Sequence, residues 1–221
     1  MAADLFFDLD GTLTDPKIGI TRCIQFALEQ LGQPAPPMED LIWCIGPPLI
    51  ESFRTLVGER CAGTALTRYR ERFTETGLYE NQVYSGMPQV LDTLRHHGAR
   101  LHVASSKPLI YVERILNHFE LSAYFDTVFG AELDGTRSDK TELLNHALLE
   151  TGVHPGRAAM IGDRAHDAIG AKNNNMDFIG VLYGYGDEAE LRGEGAVHLA
   201  DSPQSLLNMQ PVLKLMSKSD E

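Results

Sequence analysis

Residues 5–12 read LFFDLDGT and carry more information about fold and function than any other stretch of the chain. The apolar run LFF is typical of a short buried strand, and Asp8 and Asp10 follow at its end. Two carboxylates this close are costly to bury unless a cation or a reaction needs both. Phosphoryl transfer over bound Mg²⁺ does need both, one as nucleophile and the other as proton shuttle. Gly11 and Thr12 then allow a tight turn and offer N–H groups to an anion.

Other interpretations of this stretch exist. An ordinary turn after a strand, with both acids in solvent, also fits DGT taken alone. A calcium-binding EF-hand loop does not fit, because glycine follows the second acid directly and the sequence indicates no flanking helix pair. The remaining motifs of the chain must therefore discriminate between a plain turn and a phosphoryl-transfer site.

The composition limits the class of protein. The 221 residues suffice for one domain or for a core with a modest insertion, and 43% of them are hydrophobic. A net charge of −12 argues against nucleic-acid polymers and anionic membranes as partners. Three cysteines without a Cys-x-x-Cys pair are typical of reduced thiols, and acids near the N-terminus disfavour a signal peptide. We expect a cytoplasmic protein, and the composition makes no prediction of its oligomeric state.

From about residue 100 onward, strand-like and helix-like segments alternate. Strands are predicted at residues 100–105, 126–130, 158–162, 178–182 and, more weakly, 197–199. Apolar strands separated by amphipathic helices predict an α/β fold with a doubly wound, Rossmann-like parallel sheet covered on both faces. Ligands of such sheets bind beyond the carboxyl ends of the strands. Asp8, Ser105 and Asp163 fall at predicted strand ends, and we expect them at this edge of the sheet.

Residues 16–80 have a different pattern. Apolar residues between Ile20 and Leu31 recur at helical spacing, and further helical segments follow without a convincing strand. We therefore expect a small all-helical insertion at 16–80. The α/β core would then consist of residues 1–15 and 81–221.

Two later motifs are candidates for phosphate binding. The Ser105 hydroxyl and the Ser106 N–H could hold phosphate oxygens where a strand meets a helix, or one of these serines could simply cap that helix. Lys140 stands where a helix should begin, a position at which the helix dipole disfavours a cation. Neutralising a phosphate and the nearby carboxylates would explain Lys140, whereas an exposed position is the usual one for a lysine.

A second acidic motif follows the predicted strand at 158–162. Asp163 could complete the oxygen ligands of Mg²⁺ together with Asp8 and the main-chain carbonyl of Asp10. Asp167 would support the metal ligands without binding the ion itself. The alternative is a helix capped by Asp163 with Asp167 in solvent.

Taken in order, these motifs resemble the haloacid dehalogenase (HAD) superfamily of phosphatases. The resemblance runs from DLDGT at 8–12 through Ser105 and Lys140 to GDRAHD at 162–167. The helical insertion resembles the C1 cap of these enzymes. The segments YSGMP and SKP are most similar to the phosphoglycolate phosphatase-like branch, which includes 5′-nucleotidases. The chain departs from the usual pattern at Ser106, where asparagine is common, and at Pro16, which stiffens the connection to the cap.

The resemblance implies a Mg²⁺-dependent phosphatase acting on a small phosphorylated metabolite. In the implied mechanism Asp8 attacks phosphorus and becomes an aspartyl phosphate, while Asp10 acts as acid and then base. The remaining implied roles are Mg²⁺ binding by Asp8, Asp10 and Asp163, and phosphate binding by Ser105, Ser106, Lys140, Gly11 and Thr12.

Several functions remain open at this point. The substrate could be phosphoglycolate, a nucleoside monophosphate or a small sugar phosphate, and a mutase of the β-phosphoglucomutase kind would use the same nucleophile. A haloacid dehalogenase proper would not need Asp10. A non-catalytic, phosphate-binding regulator would not need Asp8, Asp10 or Lys140, and all three are present.

Overall fold

The computed structural model describes the backbone of residues 4–217 and the side chains of residues 4–213. The strands are β1 (Asp4–Phe7), β2 (Thr14–Asp15), β3 (Gln82–Val83), β4 (Arg100–Pro108), β5 (Thr127–Ala131), β6 (Ala158–Gly162), β7 (Asp177–Val181) and β8 (His198–Ala200). The α-helices are α1 (Lys17–Gln30), α2 (Leu49–Val57), α3 (Glu59–Arg72), α4 (Met87–His96), α5 (Leu109–His118), α6 (Lys140–Thr151), α7 (Ala165–Asn173), α8 (Glu188–Gly193) and α9 (Gln210–Ser217).

Six parallel strands form the central sheet in the order β5-β4-β1-β6-β7-β8. The chain leaves β1 for β4 on one side, continues outward to β5, and then crosses back to β6 on the other side of β1. This reversal leaves the carboxyl ends of β4, β1 and β6 side by side, which is where open α/β sheets bind ligands. The predicted α/β fold with a parallel sheet is confirmed.

The β1 strand is buried on both faces. Leu5 and Phe7 belong to a core cluster that includes apolar residues of α4 and α5, whereas Phe6 packs into a second cluster with residues of α6 and α7. Because side chains alternate along a strand, the run LFF supplies both faces of the sheet with apolar groups. Helices therefore cover both faces, as expected for a doubly wound sheet.

Most predicted strands lie within one residue of the observed ones, and residues 158–162 coincide with β6. The strand predicted at 100–105 is an exception, because β4 continues to Pro108. The alternative that Ser105 or Ser106 caps the next helix is excluded, since α5 begins at Leu109 with Pro108 as its N-cap residue. An irregularity in the pairing with β5 accommodates the extra length of β4, and the period of the side chains gives no sign of it.

Residues 17–80 are mainly helical and lie over the carboxyl edge of the sheet; we call residues 16–80 the cap. They comprise α1, a 3₁₀ segment (Met38–Cys44), α2, α3 and a π-helical turn (Phe73–Gly77). The two connections between cap and core pair as antiparallel strands β2 and β3. The division into a core and a cap at 16–80 stays a prediction. Among residues 4–217, the helices lack the length and the apolar character that crossing a membrane requires.

Candidate active site

The turn after β1 is built around Asp8 and Gly11. The Asp8 N–H donates to the Ile161 carbonyl (2.9 Å), which extends the pairing of β1 with β6 as far as the carboxylate. Gly11 has φ +83°, and a Cβ at this position would lie 2.1 Å from Asp163 Oδ2. Glycine is therefore required here twice, for the left-handed backbone and for the close approach of the second acidic motif.

Asp8, Lys140 and Asp167 form a buried charge cluster. Lys140 Nζ lies 3.0 Å from Asp8 Oδ1 and 2.8 Å from Asp167 Oδ1, and it also donates to the Ala104 carbonyl (2.8 Å). All three charged side chains are at most 4% exposed. Lys140 is the first residue of α6, and side chains of a helix point toward its N-terminus, so the ammonium extends past the helix to the strand ends.

The pKa values of this cluster reflect burial and mutual charge. Burial raises the pKa of Asp8 above its usual 3.8, and Lys140 counters this effect only in part. Burial alone would also raise the pKa of Asp167, but Lys140 and then His166 lower it below the usual value. Burial disfavours the charged form of Lys140, yet Asp167 and Asp8 together raise its pKa. The lysine therefore remains an ammonium between two acids.

Asp163 lies directly after β6 and is fully buried. Its Oδ2 accepts a hydrogen bond from the Tyr185 N–H (2.8 Å), whereas its Oδ1 has no hydrogen-bond partner among the described residues. Burial, followed by repulsion from Asp167 and Asp8, raises its pKa well above 3.8. The alternative that Asp163 caps the following helix is excluded, because α7 has Arg164 as its N-cap residue.

Lys107 belongs to the site, although the sequence alone left open whether it contacts phosphate or lies in solvent. Its ammonium lies 2.8 Å from Asp10 Oδ2, and its side chain is 7% exposed. Pairing of β4 with β5 shifts from Ser105–Gly130 to Pro108–Ala131, so Ser106 and Lys107 form a bulge at the strand end. The only sequence signal was its place in the SSKP segment after a predicted strand.

The predicted phosphate-binding residues surround the same strand ends. Ser105 is buried, with its Oγ 3.4 Å from the Lys107 N–H, and Ser106 is half-buried. The N–H groups of Gly11 and Thr12 donate within their own turn, to the carbonyls of residues 14 (2.8 Å) and 9 (3.3 Å). Phosphate binding by these two N–H groups stays a prediction, and it requires them to exchange those bonds.

The cap encloses a cavity of about 240 Å³ above Asp8 and Asp10. The lining residues from the cap are mainly apolar and aromatic: Ile20, Cys44, Gly46, Pro47, Pro48, Leu49, Ile50, Leu66, Tyr69, Arg70 and Phe73. The core supplies Ser105, Ser106, Lys107, Pro108, Tyr111, Ser138 and residues 131–135. A small molecule bound here would have its anionic end at the two carboxylates and the rest of its surface against the cap.

Arg164 and His166 connect the second acidic motif to the cap. Arg164 donates to the Ile45 carbonyl of the cap (2.6 Å) and is held from the other side by Glu190 (2.9 Å). His166 is half-buried, and one of its ring nitrogens lies within 4.8 Å of carboxylate oxygens of both Asp8 and Asp167. Asp8, His166 and Asp167 are therefore close enough together to hold a metal ion. Among the described residues, this group shares only Asp8 with the predicted Mg²⁺ ligands Asp8, Asp10 and Asp163.

A parallel sheet with paired carboxylates at its carboxyl edge, a buried lysine and a helical region over that edge is the arrangement expected of a HAD-like hydrolase. Residues 5–181 match the family described as haloacid dehalogenase-like hydrolase. The chain belongs to this family.

Similar proteins include enzymes with several names. A 5′-nucleotidase of Pseudomonas aeruginosa is 47% identical over 88% of this chain and 89% of its own. A phosphoglycolate phosphatase of Caulobacter vibrioides is 30% identical over 84% of this chain and 81% of its own. The tyrosine-protein kinase PtkA of Mycobacterium tuberculosis is 38% identical over 82% of this chain, which spans 62% of the kinase. The structure of a predicted phosphatase from Clostridium acetobutylicum superposes with a TM-score of 0.91, 37% identity and 98% and 99% coverage of the two chains.

Proposed function

We propose that the protein is a Mg²⁺-dependent phosphatase that hydrolyses small phosphomonoesters through an aspartyl phosphate on Asp8. The observation that carries the proposal is the position of Asp8 and Asp10 beneath a capped cavity, each beside a lysine ammonium, at 3.0 and 2.8 Å respectively. Two carboxylates and two ammonium groups beneath one cap suit phosphoryl transfer, because the negative charge of its transition state spreads over several oxygens.

The donor atoms fit a Mg²⁺ ion held by Asp8, the Asp10 main-chain carbonyl and Asp163. All three donors are oxygens, as Mg²⁺ prefers, and the buried Asp163 Oδ1 has no hydrogen-bond partner among the described residues. A bound dication would also offset the burial and repulsion that raise the pKa of Asp163. When bound, Mg²⁺ would polarise the phosphoryl group and neutralise its charge.

The group of Asp8, His166 and Asp167 is less suitable for this metal. The Lys140 ammonium already lies within 3.0 Å of a carboxylate oxygen of both acids and supplies their countercharge. An imidazole is also a softer ligand than Mg²⁺ favours. We therefore assign Asp167 a supporting role, in which it holds Lys140 and accepts the Arg164 N–H (3.1 Å).

The reaction has two steps. In the first, a carboxylate oxygen of Asp8 attacks phosphorus, the bond from phosphorus to the ester oxygen breaks, and protonated Asp10 gives its proton to the departing alkoxide. In the second, water attacks phosphorus, Asp10 takes a proton from that water, and phosphate leaves with regeneration of the Asp8 carboxylate. Ser105 and the Ser106 N–H hold the phosphoryl oxygens throughout. Lys140 joins them by exchanging one of its bonds to Asp8, Asp167 and the Ala104 carbonyl, and Gly11 and Thr12 complete the set by exchanging the bonds within their turn.

The cavity favours a leaving group with apolar faces. Tyr69, Phe73, Tyr111, Leu49 and Ile50 are among the residues that line its walls. Such walls suit the base and ribose of a nucleoside better than the carboxylate of glycolate, whose desolvation they would not offset. The 47% identity to a 5′-nucleotidase agrees with this preference. Nucleoside 5′-monophosphates are therefore the first candidate substrates and phosphoglycolate is the second.

The test is phosphate release from nucleoside 5′-monophosphates, phosphoglycolate and sugar phosphates, with Mg²⁺ and with EDTA. We expect metal-dependent release that is fastest for a nucleotide and lost in Asp8→Asn. An isomerised sugar phosphate without free phosphate would instead identify a mutase. Phosphate transfer from ATP to a tyrosine peptide would indicate a kinase, and binding without turnover would indicate a regulator. Each of these three results would overturn the proposal.

A further inference from the structure

Lys107 is buried at the boundary between core and cap, and the two-step reaction above assigns it no role. The bulge at the end of β4 turns this residue into the cavity, where its side chain is 7% exposed. Lysines are almost never buried to this extent without a partner. The contacts of the ammonium therefore indicate what the residue does.

The ammonium contacts one acid of the core and one ring of the cap. Nζ lies 2.8 Å from Asp10 Oδ2 and 4.7 Å from the ring centroid of Phe73, a cation–π distance. Phe73 follows α3 directly and is itself fixed between Tyr69 and Tyr111, with ring centroids 5.1 and 5.3 Å away. The position of Lys107 thus depends on the cap as well as on the core.

The two oxygens of Asp10 have different environments. Oδ2 is held by Lys107, whereas Oδ1 is buried and has no hydrogen-bond partner among the described residues. An unpartnered buried carboxylate oxygen is costly and is expected where a ligand will supply the missing partner. Lys107 therefore fixes the rotation of the carboxyl group and leaves one oxygen available to the reacting oxygen of a substrate.

We propose that Lys107 is a positioning residue for Asp10 and that Phe73 makes this positioning depend on closure of the cap. The proposal rests on the acid–base role of Asp10 in the proposed function. When the cap is closed, Phe73 covers Lys107 and Lys107 orients Asp10. When the cap moves away, Lys107 loses its contact with the Phe73 ring. Lys107 then no longer holds Asp10 in a fixed orientation. Proton transfer is thereby restricted to the closed enzyme.

A positioning role through Asp10 has a signature that a general structural role lacks. An aliphatic leaving group needs a proton from Asp10, whereas p-nitrophenolate leaves without one. Loss of Lys107 should therefore slow the first step for aliphatic esters and spare it for the aryl ester. The ratio of kcat/KM for the two kinds of ester isolates this step from hydrolysis of the aspartyl phosphate.

The experiment compares wild type, Lys107→Met, Lys107→Arg, Phe73→Leu and Asp10→Asn on uridine 5′-monophosphate, phosphoglycolate and p-nitrophenyl phosphate. For Lys107→Met we expect kcat/KM to fall on the order of 30-fold for the aliphatic esters and less than about 3-fold for the aryl ester. Lys107→Arg should restore part of the loss, and Phe73→Leu should show the same pattern in weaker form. Lys172→Met, on an exposed residue of α7, is the matched control.

The outcomes separate this inference from the proposed function. Equal losses on both kinds of ester would mean that Lys107 binds phosphate or supports the fold, and no loss would mean that it does nothing; both results overturn the inference. If Asp10→Asn shows the leaving-group dependence and Lys107→Met does not, the inference alone fails. If Asp10→Asn shows none, the acid–base role proposed for Asp10 fails as well. Thermal denaturation of each variant identifies any that does not fold, and for those the Lys107→Arg result decides.

Discussion

At the scale of single residues, β1 places two buried acids at its two ends, and their environments shift their pKa values in opposite directions. Asp4, at the amino end, pairs with His102 (Oδ1 to Nε2, 3.0 Å) and Arg100 (Oδ2 to Nη2, 2.9 Å). Burial tends to raise its pKa, but the hydrogen bonds from His102 and Arg100 lower it below 3.8. At the carboxyl end, burial prevails and the pKa of Asp8 is raised. Asp4 therefore stabilises the fold as a carboxylate, whereas Asp8 has the raised pKa and the catalytic role proposed above.

This contrast predicts how stability depends on pH. A lowered pKa means that Asp4 contributes stability above pH 3.8 and loses that contribution as the pH falls through the lowered pKa. We expect Asp4→Asn to lower the free energy of unfolding by about 2 kcal/mol at pH 7, and by less at pH 3. Urea denaturation at both pH values measures the difference, with Asp92→Asn, on an exposed acid of α4, as control. An equal loss at both pH values would show that the charge of Asp4 is not what stabilises the fold.

At the scale of elements, the segment after β7 connects the second acidic motif to the base of the cap. The Tyr185 N–H donates to Asp163 Oδ2 (2.8 Å), and the hydroxyl of the same residue donates to Asp15 on β2. The neighbouring Tyr183 hydroxyl donates to the Thr12 carbonyl (3.2 Å). Gly184 has no room for a side chain, since a Cβ there would lie 2.4 Å from Asp163 Cβ. This segment therefore fixes Asp163 relative to β2, where the chain enters the cap.

Tyr185→Phe should separate the two contacts of this residue. The variant keeps the main-chain bond to Asp163 and loses the hydroxyl bond to Asp15, so we expect the free energy of unfolding to fall by about 2 kcal/mol. Urea denaturation measures this change. Asp15 retains its bonds to the Lys17 N–H (3.0 Å) and Gln82 (3.3 Å), which limits the loss. Tyr79→Phe, which removes a more exposed hydroxyl, is the control, and equal stability of Tyr185→Phe and wild type would contradict the interpretation.

The sequence predicted the elements better than their ends. Parallel strands follow from apolar runs of four to six residues, and the placement of Asp8, Ser105 and Asp163 at one edge follows from the sheet. The bulge that turns Lys107 into the site could not be predicted in this way, because it depends on the register between β4 and β5. The hydrogen bond from the Tyr185 N–H to Asp163 could not be predicted either, because the chain around residue 185 has an ordinary loop composition. Contacts between distant segments, and not local propensity, position these side chains.

At the scale of the whole molecule, arginines close the cap by donating to main-chain carbonyls. Arg164 donates to the Ile45 carbonyl (2.6 Å), Arg70 to the Leu133 carbonyl (2.8 Å) and Arg114 to the Thr74 carbonyl (2.8 Å). Each bond crosses between core and cap. Hydrogen bonds from a charged donor to a neutral carbonyl are worth about 1.5–3 kcal/mol each, so these three bonds stabilise the contact between cap and core.

Removing one of these bonds should open the cap more often. The single tryptophan of the chain, Trp43, lies two residues from Ile45 and is 42% exposed. We expect Arg164→Met to increase quenching of its fluorescence by acrylamide and to raise KM for the best substrate on the order of fivefold. Arg95→Met is the control, because Arg95 pairs with Asp126 within the core. Unchanged quenching together with unchanged KM would mean that the bond from Arg164 does not hold the cap.

The central claim is that Asp8 becomes phosphorylated during turnover. The measurement is mass spectrometry of the Asp10→Asn variant, quenched in acid during reaction with p-nitrophenyl phosphate, whose leaving group needs no proton from Asp10, and digested with a protease. Because this variant lacks the base that activates water, the account predicts one added phosphoryl group on the peptide that contains Asp8, and none in the Asp8→Asn, Asp10→Asn double variant. Turnover by the wild-type protein without any phosphorylated peptide, or a phosphoryl group on another residue, would contradict it.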